Sequence, residues 1–179
     1  DKYLKYNEVT KLNKSFEKHI YLATYEGKVR ENILSYKFLD KPYMYKTFAK
    51  IILKNEKMYR IIQSYDIIGA VPIHKKRKNE RGYNQSELIA KEISRNIKEL
   101  KYGKILRKIK NNERQSSLSK DKRNQNVKGV YQIENSQIIK GKKVILFDDI
   151  YTTGSTVEEC SKVLKANNAK EIMILTLAK

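Results

Sequence analysis

Val144-Ile145-Leu146-Phe147-Asp148-Asp149-Ile150-Tyr151-Thr152-Thr153-Gly154-Ser155-Thr156 is the stretch whose reading decides the fold. Its four leading apolar residues are short, partly β-branched and uninterrupted, the pattern of a strand buried on both faces. The small residues of 152–156 lead into a helical pattern with Val157, Cys160, Val163 and Leu164 on one side, ended by Asn167-Asn168. Ile172 to Leu177 is a second apolar strand. Strand, helix, strand in that order predicts a βαβ unit and a parallel sheet. Ligands of such sheets bind beyond the carboxyl ends of the strands, and there stand Asp148 and Asp149. The helix start that follows offers backbone N–H groups and the positive end of a helix dipole, a setting for phosphate. Hydroxyls of Thr152, Thr153, Ser155 and Thr156 add donors, and Gly154 permits close approach and an unusual backbone angle. A carboxylate accepts hydrogen bonds from adjacent hydroxyls, so the acidic pair suits a ribose diol. The period of two in a strand predicts that Asp148 and Asp149 point to opposite sides, leaving one of them for direct contact with the diol. Together these features fit a ribose-5-phosphate moiety.

Other phosphate motifs are absent. There is no Gly-x-x-x-x-Gly-Lys-Ser/Thr and no Gly-x-Gly-x-x-Gly, which excludes the nucleoside-triphosphate P-loop and the dinucleotide fingerprint. A second stretch carries charge instead. Val71-Pro72-Ile73-His74 ends an apolar run from Tyr65 and leads into Lys75-Lys76-Arg77-Lys78, then Arg81-Gly82-Tyr83-Asn84-Gln85. It reads as a strand feeding a basic loop. Arg77 and Arg81 can fork onto phosphate oxygens, and Asn84 or Ser86 can cap the next helix. This is a candidate pyrophosphate loop, comprising Val71, Pro72, Ile73, His74, Arg77, Arg81, Asn84 and Gln85.

The chain has 179 residues, enough for one domain with a small appendage. Its formal net charge is +19, and residues 74–128, with 18 basic and 6 acidic side chains, hold most of the excess. A cationic middle points to a polyanionic ligand: phosphate, pyrophosphate or nucleic acid. The single cysteine, Cys160, excludes a disulfide scaffold and a four-cysteine zinc site. It falls on the apolar side of its helix, as a core residue does. No window approaches the roughly 18 to 20 apolar residues of a membrane span, and no secretory signal is visible, so the cytoplasm is the expected compartment.

Elsewhere, residues 21–25 read as a strand with Glu26-Gly27 as a turn. Val29, Ile33, Leu34 and Phe38 have helical spacing, and Pro42 opens a second helix carrying Met44, Phe48, Ile51, Ile52 and Met58. Ser86 to Leu100 reads as a helix with Leu88, Ile89, Ile93 and Ile97 on one face. Residues 101–130 are polar and basic, a long loop with a brief strand at Ile105-Leu106. Loops of that length in compact domains are usually functional.

The stretch 144–156 resembles the phosphoribosyl-pyrophosphate (PRPP) motif of type I phosphoribosyltransferases, with Tyr151 the loosest position because the pattern prefers an aliphatic residue there. The run from Val71 to Gln85 with Leu88-Ile89-Ala90 resembles the ComF competence family. So do Arg107, Gln115-Ser116-Ser117-Leu118, Arg123 and Asn126-Val127-Lys128-Gly129-Val130-Tyr131, and near the start Tyr25-Glu26-Gly27, Val29-Arg30 and Tyr36-Lys37-Phe38. The resemblance covers roughly residues 16–179. It implies an α/β, Rossmann-like fold with a mainly parallel central sheet flanked by helices. It also implies a helical hood over residues 1–60, a core over 61–179, and a flexible basic loop over about 107–128 carrying Arg107, Arg114, Gln115, Arg123 and Asn126. The implied chemistry is phosphoribosyl transfer from PRPP with Mg²⁺ to an acceptor that no residue identifies. Asp148 and Asp149 would hold ribose and metal, and residues 152–156 the 5′-phosphate. The family also implies a role in natural transformation, with single-stranded DNA, a competence helicase and recombination-loading proteins as partners, and membrane association through them. Two alternatives stay open: a non-catalytic single-stranded-DNA-binding accessory protein, and a PRPP-sensing regulator. Family members often carry an N-terminal four-cysteine zinc module. No cysteine precedes Cys160 here, so zinc is not expected.

Overall fold

The computed structural model describes residues 7–10, 14–38, 43–111 and 126–179. Among these, six strands form one sheet in the order β1-β2-β8-β7-β3-β4. They are β1 (Asn7–Thr10), β2 (Lys18–Ala23), β3 (Ile67–Ala70), β4 (Lys101–Tyr102), β7 (Lys143–Ile150) and β8 (Glu171–Ala178). All neighbours are parallel except β1 and β2, the edge hairpin. β5 (Leu106–Lys108) and β6 (Tyr131–Ile133) pair antiparallel as a separate ribbon, with Lys108 opposite Tyr131. The expected mainly parallel sheet flanked by helices is the observed architecture.

The sheet is buried on both faces, and alternation along β7 divides its core in two. Ile145 and Phe147 face a cluster built with α1 (Gly27–Phe38), α2 (Met44–Lys54), α3 (Glu56–Ile62) and α5 (Gln85–Arg95). Val144 and Leu146 face the opposite cluster, made with α6 (Ser155–Ala166) and the β5–β6 ribbon. Phe16, 1% exposed in a stretch whose sequence is polar, packs into this second cluster. Beside it, both the backbone N–H and the hydroxyl of Ser15 donate to the Glu158 carboxylate on α6.

Several elements differ in detail from the periodic reading. The helix expected after Pro42 is two helices: Asn55 leaves helical geometry, and its Oδ1 accepts the Met58 N–H to cap α3. The helix expected to reach Leu100 stops at Arg95, although Ile97 and Leu100 remain buried. The basic loop after Pro72 is a short helix, α4 (Lys75–Arg81). It ends on Gly82 at φ 78°, a left-handed cap that glycine adopts without steric penalty. Its side chains are all at least partly exposed, so no apolar stripe announces it. Among the described residues no helix is long and apolar enough to cross a membrane.

Candidate functional site

β7 delivers two carboxylates to the carboxyl edge of the sheet. Strand alternation holds: Asp149 continues the face of Ile145 and Phe147, and Asp148 that of Val144 and Leu146. Both line one cavity of about 420 Å³, at the end of β7 where it runs on to Ile150 beyond its neighbour β3, whose pairing stops at Ala70 opposite Phe147. Asp148 Oδ1 accepts the Asp149 N–H at 2.9 Å and the Ser86 hydroxyl at 3.4 Å. Asp149 Oδ2 is paired with Lys37 Nζ at 2.8 Å. Burial and then the charge of Asp149 raise the Asp148 carboxyl to about 7, with Lys37 and the two donors pulling the other way. Burial works against the charge of Lys37, but the Asp149 carboxylate outweighs it and holds the ammonium above its ordinary range.

Residues 152–156 line the same cavity. The chain turns into α6 at Gly154, whose φ of 76° is left-handed. A Cβ at that position would collide with the ring and hydroxyl of Tyr151. The turn is thus specific for glycine on two counts, backbone angle and space. Thr153 Oγ1 and Ser155 Oγ lie 2.6 Å apart. Tyr151 stacks on buried His19 of β2 with ring centroids 4.3 Å apart, which fastens the turn to the neighbouring side of the sheet.

The basic segment forms another wall. Val71, Pro72, Ile73, Arg77, Arg81, Asn84 and Gln85 line the cavity. Asn84 is structural as well: its Oδ1 accepts the Ser86 N–H to cap α5, and its Nδ2 donates to Val71 O at 3.0 Å. His74 is not on the cavity wall; its Nδ1 accepts the Lys76 N–H and caps α4. Arg107 is exposed and donates to Gln132, and Asn126 likewise lies off the wall. Arg114, Gln115 and Arg123 fall outside the described residues.

Lys37, Lys108 and Tyr131 are among the cavity-lining residues that the sequence reading did not place at the site. Lys37 was visible as part of Tyr36-Lys37-Phe38, but nothing local tells that its helix ends against the acidic pair. Tyr36 donates its hydroxyl to the Gln85 carbonyl at 2.9 Å, and Gln85 Nε2 donates to the Lys37 carbonyl. These bonds lock the end of α1 to the start of α5. Lys108 could have been found from alternation: in β5 it must face away from Arg107. No described group of three or more His, Cys, Asp or Glu side chains is arranged to hold a metal. The two neighbouring carboxylates on the cavity wall do fit Mg²⁺, which is commonly held by one or two carboxylates together with substrate phosphates.

A sequence model of the phosphoribosyl transferase domain matches residues 83–179, more than half of the chain. The chain belongs to the phosphoribosyl transferase domain family. Competence protein F of Haemophilus influenzae is 28% identical over 177 residues, covering 92% of this chain and 74% of the relative. The two findings together make this a ComF-type phosphoribosyl transferase domain. Among solved structures, the glutamine PRPP amidotransferase of B. subtilis complexed with ADP and GMP superposes with a TM-score of 0.54 at 16% identity over 80% of this chain. The allosteric regulatory enzyme of purine biosynthesis superposes with 0.51 at 17% identity, also over 80%. Both likenesses concern the fold; the chain spans about a third of the length of each. The matched region begins at Tyr83, so α1 with Lys37 and α4 with Arg77 lie outside it.

Proposed function

We propose that this phosphoribosyl transferase domain binds PRPP as its Mg²⁺ complex and transfers the phosphoribosyl group to an acceptor, in a role linked to competence. The observation that carries this reading is the single cavity joining the acidic pair, the Gly154 turn and Arg77 with Arg81. A ribose diol, a 5′-phosphate and a pyrophosphate each find complementary groups around it. The backbone and hydroxyl donors of 152–156 would take the 5′-phosphate, and the α6 dipole favours its charge. Asp148 and Asp149 would accept hydrogen bonds from the ribose hydroxyls, and they are the residues that would hold Mg²⁺. When bound, the ion would neutralise charge on the leaving pyrophosphate. The bond that breaks joins ribose C1 to a pyrophosphate oxygen, with positive charge developing on the ring as in glycoside cleavage. Arg77 and Arg81 would draw the departing charge, and the carboxylates would stabilise the cationic ring. In this reading the helical part of the N-terminal region acts as a hood beside the sheet that β1 and β2 join, and Lys37 of α1 is the hood residue that reaches the acids.

Calorimetric titration of Mg²⁺–PRPP into the wild type and into Asp148→Asn/Asp149→Asn tests the reading. Binding that disappears in the variant supports it; no binding by folded wild type rejects it. A second reading, attachment to single-stranded DNA, is favoured by the charge concentrated in residues 74–128. That binding would fall steeply with salt and survive loss of both acids.

A further inference from the structure

Arg77 and Arg81 reach the cavity wall from α4, a helix of seven residues none of whose side chains is buried. Apolar packing cannot fix such a helix, so polar contacts must. His74 caps its start, and Gly82 turns the chain away at its end. Lys78, between the two arginines, is not on that wall. It reaches across to α5 instead, where its Nζ lies 2.9 Å from Glu87 Oε2. Glu87 is only 8% exposed. A carboxylate so enclosed is costly unless it is paired and hydrogen-bonded. Its other oxygen, Oε1, lies 2.7 Å from Lys91 Nζ, one turn further along α5. The Lys91 ammonium in turn sits 5.2 Å from the ring centroid of Tyr102 on β4. The start of α5 is itself fixed, since Asn84 donates to the Val71 carbonyl and Tyr36 to that of Gln85. An acid in the first turn with a lysine four residues on is ordinary helix chemistry. The bond to Lys78 is different, because it leaves α5 and holds a helix that has no apolar anchor.

We propose that Glu87 is a positioning residue for the anionic ligand of the cavity: through Lys78 it sets the orientation of α4, and so the place at which Arg77 and Arg81 meet the ligand. This role rests on reading the cavity as a phosphate-ligand site, but one of its two tests needs no ligand. Amide hydrogen exchange of the full chain, followed by mass spectrometry, should become several-fold faster over residues 75–82 in Lys78→Met and in Glu87→Gln, while β7 and β8 keep their protection. Lys91→Met removes the other partner of Glu87 and the same charge as Lys78→Met, and it should leave 75–82 unchanged. Calorimetry with pyrophosphate and with Mg²⁺–PRPP is the second test. Lys78→Met removes a positive charge and Glu87→Gln a negative one, so their effects on the surrounding potential are opposite in sign. Positioning nevertheless requires both to weaken binding, by about tenfold, and Lys78→Arg to retain most of the affinity. Weaker binding by Lys78→Met with tighter binding by Glu87→Gln would show that charge alone acts, and would overturn the role. If Glu87→Gln loosens the whole chain, Lys78→Met against Lys91→Met decides, because both lysines are partly exposed and neither change buries or strands a charge outside the Glu87 cluster. Anion binding by the wild type with unchanged exchange over 75–82 in Lys78→Met overturns the role of Glu87 and leaves the phosphate reading standing. Failure of both anions to bind the folded wild type overturns the phosphate reading and the role with it.

Discussion

Replacing Lys37 with Met keeps most of the aliphatic stem and removes the ammonium, so it isolates the charge that α1 brings to the acidic pair. At the observed 2.8 Å the Lys37–Asp149 attraction amounts to about 6 kcal/mol at an effective dielectric constant of ~20 and about 1.5 kcal/mol at ~80. The side chains are 21% and 15% exposed, which places the pair between those limits. Part of the attraction is offset by the desolvation that Lys37 recovers when it leaves. A net loss of about 2 kcal/mol follows, a fall in Tm of roughly 5 °C for a domain of this size. The same change leaves two neighbouring carboxylates with no cation between them. Free Mn²⁺, which must compete with the ammonium in the wild type, should therefore bind Lys37→Met at least about tenfold more tightly, a difference of about 1.4 kcal/mol. Added Mn²⁺ should return the lost Tm by mass action. Calorimetry and thermal melts of the two proteins, with and without Mn²⁺, measure both effects. Opposite signs are the test: a purely structural Lys37 would lower stability and metal affinity together. Equal or weaker Mn²⁺ binding by a folded Lys37→Met protein would refute the electrostatic account.

Gly154→Ala should lower stability by about 1–3 kcal/mol through the left-handed φ and abolish PRPP binding; adding Tyr151→Ala removes the steric collision but not the backbone strain, so urea titration should show only partial recovery. His19 is held neutral down to about 4 by burial and by the nearby charge of Lys179. The unfolded chain takes up that proton near 6.5, so stability should fall between about pH 6.5 and pH 4, by as much as about 3 kcal/mol. Melting curves of His19→Gln should lack that share of the acid-limb loss.

Much of the fold was legible because its signals are local. The runs 144–147 and 172–177 are apolar without alternation, which a strand buried on both faces requires, and Thr152 to Thr156 stands where the chain must turn into a helix. What was misread lacked a local signal. α4 has no apolar stripe, since all its side chains are at least partly exposed, and its residues look like a charged loop. The break at Asn55 is one residue of extended backbone inside an otherwise continuous helical pattern. Phe16 is buried only because β8 and α6 happen to lie beside it, which residues 1–20 alone do not announce.

The sequence by itself determined the βαβ unit, the acidic pair, the glycine turn and the excess of cations in the middle of the chain, because each depends on residues within one or two elements of each other. Tertiary structure decided which charges meet. Lys37 reaches Asp149 across 112 positions of chain because Tyr36 and Gln85 lock α1 to α5. Lys108, and not Arg107, faces the cavity because β5 turns alternate side chains to opposite faces. Both acids line one cavity at the end of β7, where that strand outruns its neighbour β3, whose pairing stops at Phe147. Charge acts through distance in space, and separation along the chain does not set that distance.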